Sequence, residues 1–321
     1  MDWPNHHEPW RQWDDALAST RMHHGWILAG KSGLGKLDFA LSAARKLVEE
    51  PGVTQPRGEH PDIVLLTHLP KDEKEEKKRD EGKPYETKRN IAVAQIRSMQ
   101  RRLNTRPTLG ERRAIIVNPA DDMETSASNA LLKSLEEPPK GTFFLLVTHR
   151  PSRLLPTIRS RCRVLRFPVL DNVQLDTMLE GAKAHHDLKA RKSAIEAAGG
   201  SYGSALRFIE QDLGAVANLI QNILDHGDTN LTARAELSRT IGPRADRKRI
   251  QAVLELAQTV VAEHGRKAKS AARRGSLIDA HQELVKLSGQ APSYNFDTGL
   301  LVLEIGTLLV DASAASEPAH G

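Results

Sequence analysis

Residues 26–37 read WILAGKSGLGKL, and this stretch decides the fold. Trp26 to Ala29 form a short apolar run, which predicts a buried strand. The loop that follows contains Gly30 and ends in Gly35–Lys36, close to the phosphate-binding pattern G-x-x-x-x-G-K-[ST], in which backbone N–H groups and a lysine hold phosphates. Apolar residues at helical spacing from Asp38 to Leu47 predict a helix next. The order strand, glycine loop, helix favours a phosphate-binding loop over a plain tight turn.

Further apolar runs alternate with amphipathic segments as far as Pro168. The predicted strands are Ile63–Leu66, Arg113–Val117, Phe143–Val147 and Val164–Phe167, and the predicted helices are Ile91–Leu103, Thr125–Glu137 and Leu154–Arg161. Continuous apolar strands that alternate with helices predict a parallel α/β sheet covered on both faces. The first domain is therefore expected over residues 1–168.

Strand patterns disappear after Pro168. Short helices are predicted over residues 169–213, and one of them, Ala190–Ala198, should end at two glycines. Residues 214–321 are predicted to form a separate all-helical domain, with a small, polar and disordered tail from Ser313 to Gly321.

Residues 71–89 read KDEKEEKKRDEGKPYETKR, in which fifteen of nineteen side chains are charged, eight basic and seven acidic. Such a segment cannot bury apolar surface. We expect a solvated, mobile insertion in the first domain; a charged functional arm is the alternative.

Composition excludes several classes of protein. The 321 residues carry a net charge of +5, with an isoelectric point near 9.3, which permits a polyanionic partner without requiring one. The single cysteine, Cys162, excludes an internal disulfide framework and a cysteine-rich zinc site. No apolar stretch approaches the roughly 20 residues that span a membrane. We therefore expect a cytoplasmic protein with no membrane partner.

The chemistry of a phosphate-loop ATPase needs more than the loop. A Ser or Thr after the lysine ligates Mg²⁺, and an acidic residue at the end of a second strand completes the metal site. This chain has Leu37 at the first position and Asn118–Pro119 at the second. Asp121 and Asp122 lie beyond the strand end and are poor substitutes. The sequence thus predicts no metal site and no hydrolysis at its own loop.

Residues 126–167 provide a more specific signal. The stretch NALLKSLEEPP, residues 129–139, is similar to the helix that follows the second strand in sliding-clamp-loader subunits, and TIRSRC, residues 157–162, resembles their Ser-Arg-Cys motif. The spacing between the two motifs fits as well. The chain therefore resembles the clamp-loader group of AAA+ proteins over roughly residues 20–210. Beyond these residues the resemblance rests on weak features such as Tyr294–Asp297.

The resemblance implies roles for individual residues. Arg161, in the Ser-Arg-Cys motif, is the arginine finger that reaches the ATP site of an adjacent subunit, where a guanidinium supplied in trans stabilises transition-state charge. Thr148 matches the sensor threonine after the fourth strand. Gly203 replaces the arginine that would touch the γ-phosphate of the subunit's own ATP. Gly30, Gly35, Lys36 and Thr148 would form a degenerate nucleotide site, which is either empty or holds residual ATP, ADP or phosphate. Cys162 is expected to be a packing residue, because its motif contains no evident base partner; a nearby His149 is the alternative base.

The resemblance also implies the architecture and the partners. The fold would be a parallel-sheet AAA+ domain, then a helical lid over residues 169–213 and a helical collar over residues 214–321. Leu300–Leu303 and Ile305–Val310 would supply apolar area for a subunit interface in the collar; an intramolecular core is the alternative, and the two are not exclusive. The expected partners are the gamma/tau ATPase subunits and the delta subunit in a hetero-oligomer, and indirectly the sliding clamp and primed DNA.

We therefore expect a non-hydrolysing clamp-loader subunit that needs no cofactor of its own. The first alternative is an active AAA+ motor subunit, against which Leu37, Pro119 and Gly203 speak. The second is a free-standing DNA-binding protein, which the arginines at 97, 101, 102, 106, 112 and 113 permit. These arginines lack the interleaved aromatic residues on which bases stack.

Overall fold

The computed structural model describes residues 2–19, 21–182, 187–242, 245–290 and 297–313. The chain forms two compact units, Met1–Val169 and Leu170–Gly321. The Tyr294–Phe296 part of the weak motif and the tail from Ala314 lie outside the described residues.

The first unit is built on a parallel sheet of five strands. These are β1 (Gly25–Ala29), β2 (Ile63–Leu66), β3 (Arg113–Val117), β4 (Thr142–Thr148) and β5 (Arg163–Arg166). Their spatial order is β2-β3-β4-β1-β5, and every neighbouring pair is parallel. The predicted strands are confirmed within one or two residues at each end, because a continuous apolar run is a strong local signal for a central parallel strand.

Helices cover both faces of this sheet. They are α1 (His7–Ala18), α2 (Lys36–Val48), α4 (Val93–Leu103), α5 (Thr125–Glu136) and α6 (Pro156–Arg159), while α3 (Glu73–Asp80) lies in the charged insertion. Alternate strand residues point to opposite faces. Ile27 and Ala29 therefore join one apolar cluster with α4 and α5. Trp26 and Leu28 join the other cluster, with α1 and α2.

The charged insertion contains a helix, α3, that the sequence analysis did not predict. Asp72 caps it by accepting the Glu75 N–H at 3.0 Å, and Pro70 pairs with Thr87 in an antiparallel bridge. The Lys78 ammonium lies 2.7 Å from the Glu75 carboxylate, and the same carboxylate group accepts the Glu86 N–H at 2.7 Å. Most of the segment is exposed, as expected. Its order comes from capping and local ion pairs, which an apolar periodicity does not reveal.

The second unit contains helices and no strand among its described residues. They are α7 (Asn172–Glu180), α8 (Leu188–Ala198), α9 (Tyr202–Glu210), α10 (Gly214–His226), α11 (Thr232–Ile241), α12 (Arg247–Lys267), α13 (Ala271–Gln290) and α14 (Thr298–Asp311). Gly199 ends α8 in the left-handed conformation, which glycine adopts without a Cβ penalty. The expected fold class, a parallel α/β sheet followed by helices, is confirmed. The division of the helices into a lid and a collar stays a prediction.

No helix in the described part of the chain has the length and apolarity needed to cross a bilayer.

Candidate functional site

The phosphate-type loop connects the carboxyl end of β1 to α2. Parallel α/β sheets bind ligands at this edge, so the ends of β3 and β4 define the same candidate site. A Cβ on Gly30 would lie 2.7 Å from the Phe167 carbonyl oxygen, so the first glycine of the loop is required by close packing against the end of β5. The glycine therefore has a structural reason to be present, independent of any phosphate.

Lys36 is buried, with 3% of its surface exposed. Its ammonium donates to the Gly30 carbonyl oxygen at 2.8 Å and to the Lys31 carbonyl oxygen. Burial lowers the pKa of Lys36 to about 7, against the attraction of the Asp121 carboxylate. The lysine that would neutralise a phosphate is thus folded onto its own loop.

Asp121 occupies the site, which the sequence analysis did not predict. The residue follows β3 in a short 3-10 turn, Ala120–Asp122, and the turn brings its carboxylate back to the sheet edge. Its carboxylate accepts the backbone N–H of His149 at 3.0 Å. Burial alone raises the pKa of Asp121, but the His149 N–H and the Thr148 hydroxyl outweigh it and hold the pKa below its usual value. The sequence shows an acidic residue four positions after the end of β3, but it does not reveal the turn that brings this residue back to the sheet.

Thr148 and His149 complete this edge at the end of β4. Thr148 is fully buried; its hydroxyl bonds to Asp121, and its oxygen accepts the Arg150 N–H at 3.2 Å. Burial, with the neighbouring Lys36, lowers the pKa of His149 to about 4, so the imidazole is neutral at physiological pH. Lys36, Asp121, Thr148 and His149 therefore form an internal polar cluster at the carboxyl ends of the strands.

These residues do not fit a magnesium–nucleotide complex. Leu37 packs against the apolar cluster on the α1–α2 face of the sheet and offers no oxygen. In the described residues no three His, Cys, Asp or Glu side chains are placed to share a metal ion. Asp121 is the only carboxylate in the cluster around Lys36 just described, and its oxygens already accept protein donors.

Arg161 lies elsewhere, between α6 and β5. Its guanidinium is about one-third exposed, 2.7 Å from the Glu136 carboxylate at the end of α5. It also donates to the Thr157 carbonyl oxygen at 3.0 Å. The guanidinium is thus held near the surface by one carboxylate and one backbone carbonyl.

Arg161 and the phosphate-type loop lie at opposite edges of the sheet. A Cβ on Gly25, the first residue of β1, would lie 3.1 Å from the Arg161 carbonyl oxygen, whereas the loop follows Ala29, the last residue of β1. Strands rise about 3.3 Å per residue, so about 13 Å of sheet separates the two ends of β1. Arg161 is therefore remote from the loop of its own chain.

Cys162 packs against the same end of β1. Its Sγ would lie 2.9 Å from a Cβ on Gly25, and burial raises the pKa of the thiol to about 12. His149 lies at the opposite edge, after β4, so it does not serve Cys162 as a base. The thiol is a packing group, since a nucleophilic cysteine needs a lowered pKa.

The arginines around α4 divide into two groups. Five are exposed: Arg97, Arg101, Arg102, Arg106 and Arg112. Arg113 is buried, and its guanidinium donates to the carbonyl oxygens of Arg102 and Arg106 at 2.6 and 2.9 Å. Arg113 therefore stabilises the end of α4 and does not contribute to a surface for DNA.

Comparisons with known proteins show which family the chain belongs to. The family model described as "DNA polymerase III, delta subunit" matches residues 5–171, just over half of the chain. The chain is 32% identical over 213 residues to DNA polymerase III subunit delta' of Pseudomonas aeruginosa, covering 62% of this chain and 60% of that protein. It is 31% identical over 176 residues to the subunit of the same name from Bacillus subtilis, covering 51% and 48%.

A weaker match relates the chain to a different kind of subunit. DNA polymerase III subunit tau/gamma of Haemophilus influenzae is 26% identical over 231 residues, covering 67% of this chain and 32% of that protein. The chain thus spans about half to three fifths of the delta' relatives that it matches, and a third of the tau/gamma relative. Because the family model covers more than half of the chain, the chain belongs to the DNA polymerase III, delta subunit family.

Proposed function

We propose that the chain is the delta-prime subunit of the DNA polymerase III clamp loader. In this role it hydrolyses no ATP itself and supplies Arg161 to the ATP site of a neighbouring gamma/tau subunit. The partners would be gamma/tau and delta in a hetero-oligomer in the cytoplasm. The assembled loader would act on the sliding clamp and primed DNA, and any contact of this chain with DNA would be weak and with phosphates.

One observation carries the proposal: Arg161 lies far from the phosphate-type loop of its own chain. Arg161 lies against the amino end of β1 and the loop follows the carboxyl end. A guanidinium so placed cannot serve the loop of its own chain, but its surface position suits a phosphate presented by a neighbour.

The state of the loop supports the same role. Lys36 is folded onto the loop carbonyls, Leu37 packs against the apolar cluster, and Asp121 is satisfied by protein donors. An active motor subunit would need a metal site here, so this alternative is disfavoured. Residual binding of ATP, ADP or phosphate without a metal would be weak and without consequence for turnover.

ATP turnover by the isolated chain tests the first half of the proposal. With Mg²⁺ present, we expect no hydrolysis above the uncatalysed background, because Leu37 offers no oxygen to the metal and the Asp121 carboxylate already accepts protein donors. A colorimetric or radiolabelled phosphate-release assay is sufficient, with a gamma/tau subunit as the positive control. Turnover comparable to that of the gamma/tau control would overturn the non-hydrolysing role.

A further inference from the structure

The amino-terminal segment Trp3–His6 lies directly on the phosphate-type loop. The indole ring of Trp3 covers Gly35, and a Cβ built on Gly35 would lie 2.2 Å from ring atom Cε2. Gly35 has a φ of +71°, in the left-handed region. Glycine is therefore favoured at position 35 for two reasons: the backbone conformation is left-handed, and the aromatic ring leaves no room for a Cβ.

Several contacts fasten the segment to both sides of the loop. The Trp3 indole N–H donates to the Asp38 carboxylate at 3.1 Å, in the first turn of α2. The His6 Nε2 lies 2.8 Å from the Leu34 carbonyl oxygen within the loop. The Asn5 amide donates to the Pro168 carbonyl oxygen at 3.0 Å.

Aromatic packing makes the segment part of the core. The Trp3 and His6 rings stack with their centroids 5.4 Å apart. The His6 ring meets Phe39 and Phe167 edge-on at 5.7 and 5.1 Å. His6 is 4% exposed, and burial lowers its pKa, so the ring is held in the neutral form that packs in an apolar setting. These contacts arrange the segment as a fixed cover over the loop.

The position of the cover matters because Trp3 lies over Gly35, next to the helix terminus at which loops of this type bind phosphate. Phosphate groups approach the amino terminus of the helix that follows such a loop, where N–H groups point outward. In this chain that terminus is flanked by Gly35, which contacts the indole, and by Asp38, which accepts a hydrogen bond from the indole N–H. The Asp38 carboxylate also adds a negative charge that disfavours an anion at this place.

We propose that Trp3–His6 is an intramolecular plug, which occupies the phosphate-type loop and competes with any polyphosphate for it. The inference rests on the proposed role of the loop as a non-hydrolysing scaffold. It adds that the chain itself supplies the occupant, so the loop keeps Gly35 to seat Trp3.

Pyrophosphate binding to the full-length chain tests the plug. We expect Trp3→Ala to bind inorganic pyrophosphate at least tenfold more tightly than the wild type in calorimetry without a divalent metal. Trp3→Phe, which keeps a ring over Gly35, should stay within about threefold of the wild type. Thermal melting of each variant checks that the fold is intact. Equal affinities of wild type and Trp3→Ala, whether both measurable or both absent, overturn the plug.

A second measurement needs no truncation of the side chain. The wild-type chain is labelled with 5-fluorotryptophan, and the ¹⁹F resonance of Trp3 is assigned from the Trp3→Phe spectrum. Saturating pyrophosphate should move this resonance toward the position of solvent-exposed tryptophan. Pyrophosphate that binds while the resonance stays in place would overturn competition. Neither readout depends on Arg161, so failure of the plug is distinguishable from failure of the proposed function.

Discussion

At the residue scale, Lys36 shows how a familiar motif can be kept while its chemistry changes. The sequence predicts the loop correctly from Gly35–Lys36 and its flanking apolar run. It does not reveal that the ammonium points at the Gly30 and Lys31 carbonyl oxygens, because that depends on how the loop closes. Because this burial lowers the pKa of Lys36, the free energy of unfolding is expected to depend on pH.

The buried ammonium gives a prediction for stability against pH. The pKa of Lys36 is about 7 in the folded chain and near 10.5 when exposed. Between these values the unfolded chain binds more protons, so the free energy of unfolding should increase as pH rises from 7 to 10. At about 1.36 kcal/mol per pKa unit, this gain is at most about 3.5 kcal/mol.

Lys36→Met isolates this effect, because it keeps the volume and removes the charge. Urea unfolding of both proteins at pH 7 and pH 10 should show a gain in the wild type that exceeds the gain in the variant. Equal gains in the two proteins would mean that Lys36 stays charged in the folded chain and that its pKa is not lowered.

Asp121 and Trp3 were missed at this scale for one physical reason. Both reach the loop through contacts that cross the chain, since Trp3 bonds to a residue 35 positions away and Asp121 to one 28 positions away. Local periodicity predicts elements, and it does not predict which side chains meet after the elements pack. The candidate loop and Arg161 could be named from their motifs, whereas the cover over the loop required the structure.

At the scale of elements, the best-predicted parts are the strands. Ile115 and Ile116 are fully buried on opposite faces of the sheet. The sequence around them is therefore continuously apolar, which is a clear signal for a central strand. Helix α3 is the opposite case. Its residues are almost all charged, and its start is marked by the cap at Asp72 and by the acidic residues of its first turn, not by an apolar periodicity.

The amino end of β1 determines where the arginine-bearing segment lies, and Gly25 is the position to test. Gly25→Ala would place a Cβ 2.9 Å from the Cys162 Sγ and 3.1 Å from the Arg161 carbonyl oxygen. Overpacking of this kind costs about 1–3 kcal/mol. We expect a loss of that size in the free energy of unfolding, measured in urea.

Gly275→Ala in α13 is the matched control. A Cβ there meets nothing within 4 Å, so alanine should stabilise the chain by about 0.5–1 kcal/mol through its better helix propensity. A Gly25→Ala variant as stable as the wild type would show that Cys162 and Arg161 are not fixed against β1.

At the scale of the whole molecule, each unit has its own buried core, and the second unit also leaves apolar side chains outside. On α14, Leu301, Val302, Ile305 and Leu309 are buried, while Leu300 and Leu303 are 68% and 49% exposed. The predicted interface stretch is therefore largely an internal core. The two exposed leucines remain candidates for contact with other subunits in the proposed collar.

The central claim is that Arg161 acts on the ATP of another subunit, and ATP hydrolysis by the reconstituted loader tests it most directly. The chain is assembled with gamma/tau and delta as wild type, Arg161→Ala or Arg159→Ala. Arg159 is an exposed arginine two positions away and serves as the control. Size-exclusion chromatography verifies equal assembly.

An arginine finger contributes about 10³–10⁵ to the rate at the site it serves. We therefore predict that Arg161→Ala reduces single-turnover hydrolysis at the neighbouring site at least about 100-fold, while Arg159→Ala changes it less than about twofold. An assembled Arg161→Ala loader that hydrolyses ATP and loads clamps like the wild type would contradict the account.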